Sequence, residues 1–249
     1  MTDLLILVVA AFAGGILNTI AGGGTFLTFP ALVFVGVPPV MANATATFVA
    51  LPGYLAGSAG FASELKAWGK GSMIRLTVFA ALGGGTGAIL LSISSNEAFS
   101  VFVPFLLLAA TLIFTYGDRL RDWAASHSRD VKPEGAFGIF LVALYGGYFN
   151  GGLGIVFLAL FTMWGMSNIH LMNGLKLWAS AVIAVVSFFV FAKNGLLDWE
   201  KALIMMVAGT AGGYLGAPLA RSLPIQRVKQ FISLVGFAMT AIFFVRLVV

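Results

Sequence analysis

The feature that most constrains this chain is the near absence of charge from ten apolar segments. Five precede the one long polar stretch, at about 4–21, 25–37, 38–61, 73–91 and 99–116. Five follow it, at about 136–150, 153–165, 169–192, 202–220 and 231–249. Charged residues make up 9% of the 249 positions and hydrophobic residues 60%, whereas a soluble domain carries about 25% charge. No soluble core hides that much apolar surface, so the solvent has to be lipid. In lipid the backbone must satisfy its own hydrogen bonds, which leads to an all-α polytopic membrane protein. The start, Met1-Thr2-Asp3-Leu4, lacks the basic region of a cleavable signal peptide and reads as mature structure.

Two glycine-rich breaks interrupt the apolar pattern. The first is Asn18-Thr19-Ile20-Ala21-Gly22-Gly23-Gly24-Thr25, and the second is Asn150-Gly151-Gly152-Leu153-Gly154. Glycine inside a helix costs roughly 1 kcal/mol against alanine, so three in a row argue that the chain leaves the helix. Inside a membrane that is tolerated only where the freed backbone is buried in protein or lines a polar cavity. The segment after each break has only about 12 residues, roughly 18 Å at 1.5 Å per residue. A full crossing needs about 20. Each break is therefore expected to start a half-helix, as part of a hairpin or broken helix with its tip inside the membrane.

The two halves of the chain read as copies. Asn18 and Asn150 lie 132 residues apart, Asn43 and Asn173 lie 130 apart, and Trp68 and Trp199 lie 131 apart. Gly87-Ala88 and Gly216-Ala217 follow at a slightly shorter offset. Four landmarks in one order predict an internal duplication. Residues 1–116 form the first transmembrane repeat, 117–135 a cytoplasmic linker loop, and 136–249 the second repeat. Each repeat comprises a broken or re-entrant helical pair followed by three transmembrane helices.

Charge in the loops sets the orientation. The loop near Lys66, Lys70 and Arg75 is basic, and so is 117–135 with Arg119, Arg121, Arg129 and Lys132, which places both in the cytoplasm. Ser92–Glu97 between them has no Lys or Arg and is expected outside. In the second half the loop Lys193–Lys201 is balanced by Asp198 and Glu200, while the next carries Arg221, Arg227 and Lys229. The bias has reversed, which predicts inverted repeats and both termini outside.

Lys176 is the residue that carries the functional reading. It stands eight residues into an apolar segment, in Asn173-Gly174-Leu175-Lys176-Leu177-Trp178, whereas the other charged residues fall in loops or near segment ends. A charge at a membrane helix centre costs about 2.5–3.5 kcal/mol and by default marks function. Its bland alternative is snorkelling to an interface two turns away. Asn173 shares its helix face. Asn43 and Thr47, at i and i+4, form the matching polar stripe of the first half, with Thr45 read as packing glue.

Half-helix N-termini offer unpaired N–H groups and about half a positive charge, a ready place for an anion. The expected site is a midplane pocket shared by Asn18, Gly22, Gly23, Gly24, Thr25, Asn43, Thr47, Asn150, Gly151, Gly152, Asn173 and Lys176. Its guest is a small oxyanion, and broken helices meeting at midplane are a common design of secondary transporters.

The chain also resembles a known family. Gly14-Gly15-Ile16-Leu17-Asn18 through Gly22-Gly23-Gly24-Thr25, Phe29-Pro30, Gly36-Val37-Pro38-Pro39 and Ala42-Asn43-Ala44-Thr45-Ala46-Thr47 look like the first signature of the TauE/SafE family of sulfite and organosulfur-anion exporters. Asn150-Gly151-Gly152-Leu153-Gly154 with Asn173-Gly174-Leu175-Lys176 looks like the second. The resemblance spans essentially the whole chain and implies export of a sulfur-containing anion, without naming which. The second glycine cluster is looser, and Ala46 takes the place matching Lys176, so the two sides of the site are unequal.

The expected function is secondary transport of a small anion across the cytoplasmic (inner) membrane; a passive anion channel using the same site is the alternative. Partners are the anion and the bilayer, not nucleic acid, because the net charge of +5 is loop charge on a membrane protein. Cysteine is absent and only His127 and His170 are present, so no metal or cofactor is expected. A chromophore Schiff base on Lys176 lacks a buried carboxylate counter-ion, and no hydrolytic constellation can be assembled in the segments. The chain is not expected to be an enzyme, and its oligomeric state is left open.

Overall fold

The computed structural model describes residues 2–21, 23–117, 119, 122–123, 135–222 and 225–248. Gly22 and most of the linker loop, including Arg121, Arg129, Lys132 and Ser126 to Glu134, lie outside the described residues. The elements are all α-helical: α1 Thr2–Ala21, α2 Thr25–Phe34, α3 Pro39–Ala59, α4 Ala62–Ala67, α5 Lys70–Ile93 and α6 Asn96–Thr115. After the linker come α7 Ala136–Tyr148, α8 Leu153–Met163, α9 Ile169–Lys193, α10 Trp199–Ser222 and α11 Ile225–Val248. The expected helices are present, with one addition: the polar stretch after α3 holds the six-residue α4, whose Glu64 and Lys66 keep it out of the apolar run.

By length and composition α5, α6, α9 and Gln230–Leu247 within α11 are long and apolar enough to cross a membrane. Helices α3 and α10 have 21 and 24 residues, and on α3 the polar side chains Asn43, Thr45 and Thr47 all face the interior. Helices α2 and α8 have 10 and 11 residues, about 15–17 Å long.

Each short helix folds back along its predecessor. Ile6 and Ala10 of α1 share an apolar cleft of about 250 Å³ with Val33 and Phe34 at the far end of α2, and Met239 and Phe243 of α11 close it. Near the tip, a Cβ built on Gly14 would stand 3.0 Å from the Gly24 carbonyl oxygen. The second pair repeats this: Gly146 lies against Leu153, and Gly138, two turns earlier in α7, against Leu160. Both pairs are therefore antiparallel helical hairpins. Both short helices also end in the same turn. Gly36 at φ 87° and Gly165 at φ 77° take the left-handed conformation that glycine alone adopts cheaply. Val37 N–H then donates to Leu32 C=O at 3.0 Å and Met166 N–H to Phe161 C=O at 3.1 Å, each a Schellman closure.

Without a hydrophobic drive between helices in lipid, close van der Waals approach has to hold the bundle. Helix α1 runs against α10, and α5 against α7. A Cβ on Gly15 would lie 2.0 Å from the Gly209 carbonyl oxygen, and one on Gly147 2.1 Å from that of Gly84. The backbones touch, and no side chain fits between them. Helix α3 packs on α9, and α6 on α11. Phe29 of α2 ties the core together through edge contacts with Phe99 of α6 and Phe149 of the second break, and by stacking on Phe243 of α11.

One end of the bundle gathers the start of α3 with two turns. Asn96 Oδ1 accepts from Val40 N–H at 3.1 Å, and Thr45 Oγ1 accepts from Asp198 N–H at 3.1 Å. The other end holds α4 beside the start of α9, with the rings of Phe61 and His170 6.4 Å apart.

Candidate functional site

Helix α9 places Lys176. Its first turn is capped by Asn168, whose Oδ1 accepts from His170 N–H at 3.1 Å and Leu171 N–H at 3.2 Å. The lysine follows two turns later. Its stem lies on Gly154 in the first turn of α8, where a Cβ would stand 3.0 Å from Lys176 Cδ. The ammonium donates to Asn173 Oδ1 at 3.0 Å. This bond joins a cation to a neutral amide, so it leaves the full positive charge in place.

That charge faces a cavity of about 500 Å³ enclosed by α1, α2, α3, α9 and α10. Asn18 of α1 and Gly24 and Thr25 at the start of α2 form one wall, with Thr28 one turn further on. Asn173, Lys176 and Leu177 form the facing wall. Pro52 and Gly53 of α3 line it where the helix has no N–H to continue its ladder, and Asn18 Nδ2 points at Gly53. Thr210 and Tyr214 come from α10, and Phe61 reaches it from the α4 end of the bundle. Lys176 is the one charged residue among the described lining, so the cavity combines a fixed cation, small polar groups and an apolar remainder.

Helix α2 adds the electrostatics of a half-helix start. Gly24 is already helical, with φ −59° and ψ −34°, and no side chain caps the N-terminus. Phe26 and Leu27 N–H donate back to the Gly23 and Gly24 carbonyls at 3.2 and 3.1 Å, and the partial positive charge of the helix end meets the same cavity as Lys176. At the mouth end, outside the spans, a hydrogen bond from Ser63 holds the Glu64 carboxyl below its usual range.

Not every expected residue is brought here. Gly23 turns away, packing against Ile232 and Phe114. Asn43 is buried and donates from Nδ2 to the Tyr148 carbonyl at 2.9 Å, pairing the last carbonyl of α7, and Thr47 donates back to the Asn43 carbonyl at 2.9 Å. Asn150 accepts from the Tyr54 hydroxyl at 3.4 Å, and the Gly151 carbonyl accepts from the Tyr145 hydroxyl. Gly152, at φ 71°, starts α8 against Ala110. Two half-helix starts were expected to share one pocket with unequal sides; the described lining takes Gly24 and Thr25 from the first and reaches the second only through the Lys176 stem on Gly154.

Thr28, Gly53, Thr210 and Tyr214 line the cavity without having been singled out in the sequence. Thr28 had a signal, since it lies at i+3 from Thr25 on the same helix face. Tyr54 and Tyr145 also had one, as tyrosines deep in apolar segments whose hydroxyls need partners.

A family model described as Sulfite exporter TauE/SafE matches residues 6–243. Similar curated proteins include a "Probable membrane transporter protein" of Haemophilus influenzae, 29% identical over 96% of this chain and 94% of the relative. The "Probable membrane transporter protein ORF9" of a Sinorhizobium species is 29% identical over 95% of this chain and 90% of its own length. The "Probable membrane transporter protein YfcA" of Escherichia coli is 24% identical over 95% and 87%.

Proposed function

The chain belongs to the TauE/SafE family of membrane transporters, which are not enzymes, and from that premise we propose that it is a secondary transporter of a small, sulfur-containing anion. The anion sits between Lys176 and the start of α2, with Asn18, Thr25 and Asn173 supplying hydrogen bonds. The observation that carries this reading is the Lys176 ammonium, paired among the described residues with a neutral amide, inside a cavity whose opposite wall is the start of α2, where no side chain caps the helix. Positive groups from two elements converge there, and no carboxylate lies among the described lining to cancel them. The cavity approaches the end that carries Phe61, α4 and Lys66, which we take from the basic loop to face the cytoplasm of an inner-membrane protein. Substrate loading from that side supports export, and an inside-negative potential favours anion exit by about 2.3 kcal/mol per charge per 100 mV.

The proposed architecture is a pair of inverted repeats. Exchanging α1, α2, α3, α5 and α6 for α7, α8, α9, α10 and α11 maps the α1–α10 contact onto α7–α5 and the α3–α10 contact onto α9–α5. It maps α3–α9 and α6–α11 onto themselves. The matched turns at Gly36 and Gly165 support the same exchange.

Flux into liposomes holding the purified protein tests the site. A panel of sulfite, sulfate, sulfonates, chloride and carboxylates is compared for the native chain and Lys176→Met. Saturable, counterflow-competent flux of a sulfur oxyanion, lost in Lys176→Met, is the expected result. Undiminished flux in the mutant removes Lys176 from the mechanism, and flux that never saturates identifies a channel.

A further inference from the structure

We infer that the cleft between the first hairpin and α11 binds an acidic phospholipid, with one acyl chain lying along α2 and the phosphate on Arg246. The inference needs only the membrane setting, and it stands apart from the reading of the Lys176 cavity as an anion site.

The patterning of α2 creates the cleft. Leu27, Pro30, Ala31 and Phe34 stand at i, i+3, i+4 and i+7, one stripe of a helix, and all four line it. Thr25 and Thr28 lie on another face and line the Lys176 cavity instead. A helix of 10 residues therefore separates two cavities of opposite character. Ala10 of α1 flanks the cleft on one side, and Ile242 of α11 on the other. Its volume of about 250 Å³ falls below the roughly 300–1,000 Å³ of pockets that enclose a whole small molecule. The lining nevertheless runs from Phe26 to Phe34, about 12 Å at 1.5 Å per residue. Long and narrow are the proportions of a single hydrocarbon chain.

The surroundings say what fills it. Beside the cleft, Ile242 and Val245 of α11 are exposed, and so is Phe34 at the end of α2. In a membrane transporter such a surface meets acyl chains. An apolar hollow stays dry, and left empty it forfeits the dispersion contacts of its lining. A lipid tail restores them.

Arg246 selects the headgroup. It is the one charged residue of the described lining, it lies in the last turn of α11, and its side chain is exposed. Thr115 bonds Ser233 and Phe105 meets Phe244, so α6 and α11 run antiparallel. Helix α11 therefore ends where α6 begins. There Asn96 accepts from Val40, just beyond the turn that follows α2. The guanidinium thus stands at the Phe34 end of the cleft, and Phe26 marks the deep end. That is the placement of a headgroup over its chain. The planar fork of arginine matches phosphate oxygens in pairs. A lipid with net negative charge neutralises it, whereas a zwitterion brings a cation of its own.

Native mass spectrometry of the purified full chain tests this, with phosphatidylglycerol and phosphatidylcholine of identical acyl chains added in turn. One phosphatidylglycerol per chain should be held more tightly than phosphatidylcholine. Arg246→Gln should weaken phosphatidylglycerol about fivefold and leave phosphatidylcholine unchanged. Lys66→Gln, which removes an exposed cation at the opposite end of the bundle, should alter neither. Ile242→Trp puts a large ring on the exposed rim of the cleft and should weaken both lipids. If that variant does not fold, Ala10→Leu takes its place. Equal retention of the two lipids by the native chain overturns the inference, as do equal losses in Arg246→Gln and Lys66→Gln. Lipid binding that survives the cleft-filling variants overturns it as well. A lipid-free dimer that Ile242→Trp dissociates does the same, because a second copy then fills the cleft. None of these measurements involves the transported anion, so the proposed function is judged separately.

Discussion

Asn43 and Asn173 occupy matched places in the two halves and hold different partners. Asn43 pairs a helix-end carbonyl, so removing it leaves a buried acceptor without a donor, at about 1–3 kcal/mol. Asn43→Ala is therefore expected to lower the thermal unfolding midpoint in detergent clearly. Asn173→Ala exchanges a hydrogen bond at a hydrated cavity wall, so its midpoint should move little while anion affinity falls. Equal midpoints for the two alanine variants would contradict this division. Lys176 sits between these roles, a costly charge within an apolar helix that the proposed anion would offset.

At the scale of elements, glycine serves two purposes that substitution can separate. Gly36 is needed for its positive φ alone, because nothing lies within 4 Å of where its Cβ would stand. Gly36→Ala should cost about 1–2 kcal/mol, the strain of a left-handed L-residue. Gly15 has ordinary helical backbone, but its missing Cβ is where α1 touches the Gly209 carbonyl of α10. Gly15→Ala must push two helices apart along a contact that includes the cavity wall. It should destabilise more than Gly36→Ala in thermal unfolding, and it should also reduce transport. A Gly15→Ala protein as stable as Gly36→Ala would mean that the α1–α10 contact yields easily.

At the scale of the whole molecule, the hairpins divide the membrane unequally between structure and site. The first faces the cavity with the start of α2, and the second supports the Lys176 stem at Gly154. If the repeats are inverted, each makes an odd number of crossings and both termini emerge on one side. A reporter active only outside the cytoplasm, fused after Val249, should therefore be active. A cytoplasmic C-terminus would be incompatible with the inverted arrangement.

The amino-acid sequence by itself determined the membrane environment, the helical class, the half-helices and the prominence of Lys176. Those follow from local quantities: apolar run length, glycine in helical register, and a charge far from any segment end. The matched landmarks also made the duplication legible, and Ala46 opposite Lys176 already signalled inequality. Only the tertiary structure decided which break borders the cavity. That outcome depends on hydrogen bonds between residues about 100 positions apart, such as Asn43 with Tyr148 and Tyr54 with Asn150. A buried amide or hydroxyl must find a partner, but periodicity along one helix does not say which neighbouring helix supplies it. The two breaks look alike as strings of glycine, and only the side chains packed around them decide that the first lines the cavity while the second is paired by Asn43, Tyr54 and Tyr145.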